Sequence, residues 1–452
     1  MLTRADRPGS STSVERGWNS PYDADADAAL LSSSQSSFRP LQGIMISHGN
    51  RLFLRRLLRS RTTKILLVLL VVVNILDVLR IHRNILDADR TPTPKLSQPA
   101  ERIYIASMHF NNEDILKKHW NTAVIELAKT LHPENVFVSV YESGSWDNSK
   151  AELLKLDKEL ERLGVPHRVE VSDVTHENEL NAENKDEGWI DTARGKRELR
   201  RIPYLAKLRN KTLRDLLELH KKGTRFDKVL FLNDVVFTTD DVLKLLDTNG
   251  GDYAAACSLD FSKPPSYYDT FALRDTAGQS HTTQSWPYFK SSASRNALVN
   301  HLDAVPVTSC WNGIIVMPAE PFVSSSKLRF RGVADSLAEH HLEGSECCLI
   351  HADNPLSKTR GVYLNPRVRV GYNMAAYQAV HPEEGAWVSV WDIFSGLWIN
   401  RLKRWTVVTF ERWVVRRRIA KWEKEGLGRR EPGEFCLINE MQVLVARGWA
   451  HA

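Results

Sequence analysis

The chain has 452 residues, and its 61 lysines and arginines against 55 aspartates and glutamates leave a net charge of only +6. Hydrophobic residues make up 42% and charged residues 26% of the chain, as in ordinary globular proteins. These figures exclude a wholly disordered chain, a collagen-like chain and a small disulfide scaffold. The small positive surplus is not that of a nucleic-acid-binding protein, so we expect no nucleic-acid partner. The five cysteines leave the redox compartment undecided.

The first hundred residues divide into four segments of different composition. Residues 1–50 are rich in small and polar residues and cannot bury enough apolar surface to offset the entropy of ordering, so we expect a disordered cytosolic tail. Residues 51–64 carry six cations, and the apolar stretch ILLVLLVVVNILDVL follows directly. We predict a membrane-spanning signal anchor at 65–82 and a polar stem at 83–100.

The apolar stretch of the predicted anchor is short, because its fifteen residues, 65–79, are fewer than the ~20 that usually span a bilayer. A buried core helix and a late signal-peptide core are therefore the alternatives. The cation cluster on the N-terminal flank favours keeping that flank in the cytosol. No second long apolar run occurs in the sequence. We therefore predict a single-pass protein with a cytosolic N-terminus and its folded mass in the lumen.

From residue 101 onward, short apolar runs alternate with amphipathic stretches. The predicted elements are, in chain order, a strand at 102–108, a helix at 113–130, the strand NVFVSVYESGS ending in a loop, a helix at 149–163 and a strand at 165–171. This order predicts an α/β domain with a mostly parallel sheet flanked by helices. Ligands on such sheets bind beyond the carboxyl ends of the strands, so the loops at 107–114 and 141–148 should line the site.

The next part of the chain is more polar. Residues 175–200 are highly charged and are expected to leave the domain as an excursion. A helix is predicted at 203–222, with Pro203 in its first turn, and a strand at 226–237.

The C-terminal part is rich in Trp and Arg, above all at 387–423. It could form a cap helix packed on the domain or a membrane-surface face, and we expect packing. We divide the folded part into a catalytic domain at 101–385 and a helical extension at 386–452.

The run VLFLNDVVF places Asn233 and Asp234 at the end of a strand. Burying a carboxylate there is costly unless it is paired or binds a metal ion. A hard divalent ion held by one carboxylate and by substrate phosphates satisfies this requirement. The alternative is an Asx turn, or an N-cap for the following helix TTDDVLKLL.

The stretch KVLFLNDVVF resembles the metal-binding strand end of GT-A glycosyltransferases, which in most of these enzymes reads Asp-x-Asp. Asp234 takes the last acidic place, and Leu232 or Asn233 stands near the first. Residues 102–375 more closely resemble one family, the fungal capsule-associated, cryptococcal-type α-1,3-mannosyltransferases of glycosyltransferase family 69. The matching stretches are RIPYLAKLRN, FLNDVVF, TSCWNGIIVM, SECCLIHAD and NPRVRVGYN.

This resemblance implies a GT-A-like fold and transfer of mannose from GDP-mannose to a mannose-containing glycan, forming an α-1,3 linkage with retention. It implies Mn²⁺ or Mg²⁺ as the cofactor and a single-pass type II protein of the Golgi membrane with a lumenal catalytic domain. Capsule polysaccharide is the context that the family suggests, and cell wall and glycolipid are the alternatives for the product. Two alternatives stay open: another nucleotide-sugar donor, or a non-catalytic glycan-binding or polysaccharide-assembly partner with the same fold. The missing first Asp favours the second alternative.

The resemblance also suggests metal ligands. Asp234 would hold the ion against the donor diphosphate, and Asn233 would be a second ligand or a contact of a sugar hydroxyl. His351 would complete the metal shell, with His381 as the other choice. A histidine near a strand is more often structural, which is the alternative for both.

Five further residues are candidates for binding the substrates. Arg201, Lys207 and Arg209 precede the strand that carries the metal site, and the arginine fork suits phosphate. Trp311 can pack on a sugar face, and Asn312 can bind hydroxyl groups. The alternatives are a solvated helix face for the cations and a buried core Trp with a turn Asn for the second pair.

Glu346 and Asp353 are the candidate catalytic carboxylates. Glu346 precedes the apolar run CCLIH, where GT-A enzymes often carry an acceptor-side carboxylate, and Asp353 is the competing candidate. In a retaining enzyme such a group would orient the acceptor or stabilise an oxocarbenium-like state.

Overall fold

The computed structural model describes a large part of the chain, namely residues 60–94, 101–183, 185, 187–406, 410–446 and 448–452. The predicted tail at 1–50, residues 51–59 of the basic segment and residues 95–100 of the predicted stem lie outside the described residues.

The helices and strands are numbered in chain order. The helices are α1 (Arg61–Asp89), α2 (Glu113–Ile115), α3 (Asn121–Thr130), α4 (Ser149–Arg162), α5 (His176–Leu180), α6 (Arg201–Lys211), α7 (Arg214–Lys221), α8 (Thr239–Leu246), α9 (Ser292–Val299), α10 (Glu320–Val323), α11 (Asp335–Ala338), α12 (Glu346–Asp353), α13 (Ser357–Arg360), α14 (Met374–Val380), α15 (Val390–Thr406) and α16 (Phe410–Lys424). The strands are β1 (Ile103–His109), β2 (Val136–Glu142), β3 (His167–Val171), β4 (Trp189–Asp191), β5 (Arg197–Leu199), β6 (Lys228–Leu232), β7 (Ala255–Lys263), β8 (Ser266–Tyr267), β9 (Arg274–Asp275), β10 (Val305–Ser309), β11 (Ile314–Pro318), β12 (Glu343–Gly344), β13 (Val362–Gly371), β14 (Leu437–Ile438), β15 (Gln442–Val445) and β16 (Gly448–His451). A π-helical turn, Leu116–Trp120, joins α2 to α3.

One ten-stranded sheet forms the centre of the described structure, in the order β3-β2-β1-β6-β11-β7-β13-β10-β9, with β8 paired to β7. β3, β2, β1 and β6 are parallel neighbours, and β7 is parallel to β13. β11 lies antiparallel between β6 and β7, and β8 and β10 are also antiparallel to their neighbours. Seven of the ten strands therefore point in one direction. This mixed, mostly parallel sheet flanked by helices confirms the predicted GT-A-like fold class.

Apolar side chains cover both faces of the sheet. In β6, Val229 and Phe231 belong to one hydrophobic cluster, and Leu230 and Leu232 belong to a second cluster on the opposite face. Burial on both faces is typical of parallel sheets, and it explains why the strands read as continuous apolar runs in the sequence.

Helix α1 has 29 residues and is about 43 Å long. It is long and apolar enough to cross a membrane. Its N-terminal apolar side chains are exposed, whereas Ile81 and Ile85 are buried in the same cluster as one face of the sheet. Asp89 forms an ion pair with Arg369 at 2.9 Å. Residues 83–89, predicted as stem, are thus helical and packed on the domain.

The helix predicted at 203–222 is in fact two helices, α6 and α7. The chain turns at Thr212, whose backbone N–H and hydroxyl both donate to the Arg209 carbonyl, at 3.1 and 2.7 Å. The Tyr104 hydroxyl donates to the Thr212 carbonyl at 2.6 Å and holds the turn in place. The sequence shows the helical period but not this tertiary contact.

The charged stretch at 175–200 forms α5 and the hairpin β4–β5. The C-terminal hairpin β15–β16 lies beside it. Arg200 pairs with Val443 through the backbone, and the His176 ring donates to the Val445 carbonyl at 3.1 Å. The end of the chain is therefore packed against the domain.

Two disulfides also hold the domain together. Cys257 in β7 is bonded to Cys310, which precedes β11, and Cys348 in α12 is bonded to Cys436. Cys347 is a free, buried thiol. The second disulfide joins the C-terminal segment to the domain.

The Trp- and Arg-rich segment forms α15 and α16, and each packs one face on the domain as expected. The buried residues of these faces are Ile393, Gly396 and Asn400 in α15 and Val415, Ile419 and Trp422 in α16. The outward face of α15 is exposed.

Candidate active site

A cavity lies at the carboxyl ends of β1, β2 and β6. It is lined by Met108, His109, Phe110, Asn112, Ser143, His176, Tyr204, Leu205, Leu208, Arg209, Asn233 and Asp234. The loops that follow β1 and β2 both contribute, as the α/β pattern predicts. Helix α6 forms the opposite wall.

Asp234 is the central acidic group of this cavity. Its Oδ2 accepts a hydrogen bond from Asn112 Nδ2 at 2.8 Å. Burial raises the pKa of Asp234 to about 6, although this hydrogen bond and the charge of Arg209 oppose the rise. Within the described part of the chain, Asp234 forms no ion pair. The N-cap of α8 is Thr238, so capping does not explain Asp234.

Four predicted residues form one chain of contacts beside Asp234. Arg209 Nε donates to Glu346 Oε1 at 2.9 Å, and the guanidinium lies 4.5 Å from the centre of the Trp311 ring. Trp311 Nε1 donates to Asn233 Oδ1 at 3.1 Å. The structure therefore brings these residues together from four separate parts of the sequence. Trp311 itself is buried in the hydrophobic core, as the alternative for this residue predicts.

Asn312 is buried in a tight turn before β11, with φ at 54°. Its backbone N–H donates to Asp269 Oδ2 at 3.1 Å, and its Nδ2 lies 3.5 Å from Asp260 Oδ1. The Tyr372 hydroxyl donates to Asp260 Oδ2 at 3.1 Å. Asn312 thus binds protein groups in this structure, as the turn alternative predicts.

Asp260 and Asp269 are buried acidic residues that the sequence reasoning missed. Burial, followed by the charge of Asp269, raises the pKa of Asp260 to about 7. The same signal that identified Asp234, an acidic residue within an apolar strand, is present in ACSLDF and could have identified Asp260.

The loop after β1 contributes residues that were predicted only as a wall. His109 is fully buried, and its Nδ1 lies 3.3 Å from Asn112 Oδ1. Burial lowers the pKa of His109 to about 4, so the ring is neutral. Trp120 Nε1 donates to the Asn233 carbonyl at 3.0 Å. The polar run HFNNED was the available signal for these residues.

Arg201 and Lys207 do not line the cavity, unlike Arg209. Arg201 donates to Gln442 Oε1 at 2.6 Å and stacks 4.7 Å from the centre of the Trp449 ring. Lys207 forms an ion pair with Glu179 at 2.8 Å. At about 100° per residue, the three cations point to different sides of α6.

The two candidate histidines are also engaged elsewhere. His351 is buried, and its Nε2 donates to the Cys310 carbonyl at 2.6 Å. Burial lowers its pKa to about 4. His381 lies 3.7 Å from Asp241. Among the described residues, no group of three His, Cys, Asp or Glu side chains is arranged to hold a metal ion.

The two candidate carboxylates lie at opposite ends of α12. Glu346 begins the helix and contacts Arg209 beside the cavity. Asp353 ends the helix, and Arg331 binds it at 2.6 Å together with Glu431 at 2.8 Å. Only Glu346 is therefore linked to the strand end at Asp234.

A comparison of the sequence with family models decides the family. The model described as Cryptococcal mannosyltransferase 1 matches residues 102–353, which are more than half of the chain. The chain belongs to this family. Membership confirms the resemblance and supports a glycosyltransferase activity. No curated protein matches the chain.

Solved structures with some likeness to this chain include two bacterial or archaeal proteins. One is S. aureus TarS 1-349, with a TM-score of 0.33 and 9% identity over 60% of this chain and 60% of that chain. The other is the mannosyltransferase PcManGT from Pyrobaculum calidifontis in complex with GDP-Man and Mn²⁺, with a TM-score of 0.31 and 10% identity over 82% and 77%. The chain thus spans about three fifths of the length of TarS 1-349. At these scores the likeness does not bear on function.

The region shared with the cryptococcal mannosyltransferase 1 family runs from β1 to the end of α12. It contains Asp234 and the whole contact chain from Asn233 to Glu346. Helices α15 and α16 and the C-terminal hairpin follow the matched region. All the residues that line the cavity at the strand ends therefore lie within the matched region.

Proposed function

We propose that this protein transfers mannose from GDP-mannose to a mannose-containing glycan, with divalent-metal dependence, and forms an α-1,3 linkage with retention. The observation that carries the proposal is the contact chain Asn233–Trp311–Arg209–Glu346 beside Asp234, within the family region. It combines a carboxylate for a cation and an arginine for phosphate at one strand end, with the guanidinium held against the buried Trp311 ring.

Asp234 fits a divalent cation shared with the donor. Its pKa is raised by burial, and it forms no ion pair within the described residues. One or two carboxylates together with substrate phosphates are enough to bind an ion such as Mg²⁺. Asp234 and Asn233 would hold the ion, and the donor diphosphate would supply the other oxygens. A bound Mn²⁺ or Mg²⁺ supplies Lewis-acid stabilisation of the charge on the departing GDP.

Arg209 would bind the donor diphosphate. Its guanidinium is planar, and Glu346 and Trp311 hold it in one orientation. Glu346 is buried and already binds Arg209, so we assign it a positioning role. In a retaining transfer, the departing phosphate oxygen would then accept the proton of the acceptor hydroxyl.

The disulfides and α1 support the proposed location. Disulfides persist in oxidising compartments such as the secretory lumen, and this domain contains two. The cations of residues 51–64 precede the apolar part of α1 and favour a cytosolic N-terminus. We therefore propose a single-pass type II protein with a lumenal domain, and we propose the Golgi membrane because the family resemblance implies it.

The test is an assay of the full chain in mild detergent with an α-mannoside acceptor. GDP-mannose, UDP-glucose and UDP-galactose are offered separately, with Mn²⁺, with Mg²⁺ and with chelator. We expect mannose transfer from GDP-mannose alone, lost with chelator and restored by the metal. Linkage and anomeric configuration are read from the product by NMR, and a β-linked product would contradict retention.

A second candidate is a non-catalytic glycan-binding or polysaccharide-assembly partner with the same fold. The observation that favours it is the single carboxylate at the strand end, with no group of three metal ligands among the described residues. This candidate predicts that no donor is turned over and that glycan binding is unaffected by chelator. The same assay therefore distinguishes the two.

A further inference from the structure

The outward face of α15 carries a row of large apolar side chains. They are spaced three or four residues apart and comprise Trp391, Phe394, Trp398, Leu402 and Trp405, here called the outer row. At about 100° per residue, the row lies within an arc of about 80°. Trp391 is 70%, Leu402 52% and Trp405 69% exposed. A contiguous exposed apolar surface of this kind marks an interaction site.

The inner face of α15 fixes the direction of the outer row. A side chain at Gly396 would place its Cβ 2.0 Å from the Trp286 carbonyl oxygen, so the helix approaches the domain closely there. Asn400 Nδ2 donates to the Phe289 carbonyl at 3.2 Å. Ile393, on the same face, is fully buried. The outer row therefore points away from the domain.

Helix α15 also packs against α1. Arg401 Nη1 donates to Asn74 Oδ1 at 3.4 Å. Asn74 lies within the exposed apolar stretch of α1, which runs from Ile65 to Leu79, in the half nearer the domain. The outer row therefore lies beside the part of α1 where the exposed apolar stretch ends and the part packed on the domain begins.

The chemistry of α15 is that of a helix lying in a lipid–water interface. Indole rings favour this region, and Trp391 and Trp405 stand at the two ends of the row. Arg401 lies 5.0 Å from the centre of the Trp398 ring, and Lys403 is exposed nearby. Cations in these positions can bind lipid phosphates.

The length of the apolar stretch of α1 supports the same conclusion. Residues 65–79 measure about 21 Å, whereas the hydrocarbon core of a bilayer is about 30 Å thick. A second apolar surface beside the domain end of this stretch reduces the mismatch, because lipid then contacts α15 there. A soluble partner protein bound to the outer row would not reduce this mismatch, because the row would then contact protein and not lipid.

We propose that α15 lies in the interface of the membrane that α1 crosses, with the outer row in contact with lipid. This inference rests on the proposed membrane anchoring by α1 and goes beyond it. The catalytic domain would then sit directly on the bilayer in one orientation. No flexible stem would separate the domain from α1, because one continuous helix contains both the apolar stretch and the residues that pack on the domain.

The test uses the full chain in vesicles of phosphatidylcholine with and without dibrominated phosphatidylcholine. A fluorescent label is attached in the variant Leu402→Cys and in the matched control Leu154→Cys. Leu154 is an exposed leucine, 44% accessible, on α4, which packs on the opposite face of the sheet from α1. The only native free thiol, Cys347, is buried, and the unsubstituted chain measures its background.

We expect brominated lipid to quench the label at 402 several-fold more than the label at 154. Equal quenching at the two positions would overturn the proposal. Shielding of position 402 from both brominated lipid and aqueous iodide would also overturn it, in favour of an interface with a second copy. Carbonate extraction tests membrane anchoring by α1 separately. Release of the protein from the vesicles would refute both the anchoring by α1 and this proposal. Retention without quenching at 402 refutes this proposal alone.

Discussion

Two regions on different sides of α6 differ in whether their charged side chains form ion pairs. On one side, the carboxylate of Asp234 has a hydrogen bond from Asn112 but no ion pair within the described chain. On the other side, Arg200 is fully buried and binds both Glu343 and Asp335 at 2.7 Å. An unpaired carboxylate at a strand end is suited to a ligand, whereas an ion-pair network around a buried arginine holds parts of the fold together. The following changes test this contrast.

The largest effect is expected from Asp234→Asn. If Asp234 holds the cation of the donor complex, its loss should lower transfer by about a thousandfold, because several kcal/mol of charge stabilisation disappear. Thermal unfolding should be unchanged or slightly raised, since the carboxylate is partly buried and unpaired. The control is Asp240→Asn, an exposed acid in the first turn of α8. Full activity of Asp234→Asn would refute the metal assignment.

Arg200→Met should mainly affect stability. It leaves Glu343 buried without its cation, and breaking a buried pair in this way typically costs about 3 to 5 kcal/mol. A urea titration in detergent measures the free energy of unfolding. Arg194→Met removes the more exposed pair with Glu198 and should cost less than about 1 kcal/mol. Equal losses in the two variants would contradict the distinction between the regions.

A pH series should show the effect of buried neutral groups. Burial lowers the pKa of His109 and His351 to about 4 from an ordinary value near 6.5. The unfolded chain binds more protons at these two histidines between these pH values, so their contribution to the free energy of unfolding should fall as the pH drops from 6.5 to 4. The raised pKa values of Asp234 and Asp260 act in the opposite direction over the same range. The expected contribution is about 3 kcal/mol for each histidine.

The variant His351→Gln checks this origin. Glutamine retains a donor for the Cys310 carbonyl but cannot take up a proton. As the pH drops from 6.5 to 4, its free energy of unfolding should fall less, or rise more, than that of the unsubstituted chain. An unchanged slope would show that His351 is not among the groups responsible.

The smallest effect is expected from Lys207→Ala. Its ion pair with Glu179 is on the surface, and such pairs contribute about 0 to 1 kcal/mol. The KM for the donor should change by less than about twofold. Arg209→Lys, which loses the planar fork, should raise that KM by about tenfold or more. A larger effect at Lys207 than at Arg209 would reverse our assignment of the donor contacts.

The sequence by itself determined the local elements and the position of the site along the chain. Alternating apolar runs and helical periods indicated β1, β2, β6 and their helices, because both patterns depend on neighbouring residues only. An acidic residue after a buried strand pointed to Asp234 for the same reason. The long apolar stretch marked α1. The prediction of a single helix at 203–222 was wrong in one respect, because the break at Thr212 depends on a contact with the distant Tyr104.

The tertiary structure alone decided which predicted residues meet. Asn112 and Asp234 are 122 positions apart, and Arg209 and Glu346 are 137 apart. No periodicity reports such contacts. The direction of each cation around α6, the disulfide partners and the docking of α1 and α15 depend equally on chain segments that meet only in the folded state. These contacts bury apolar surface and pair charges between distant segments, and that requires the complete fold.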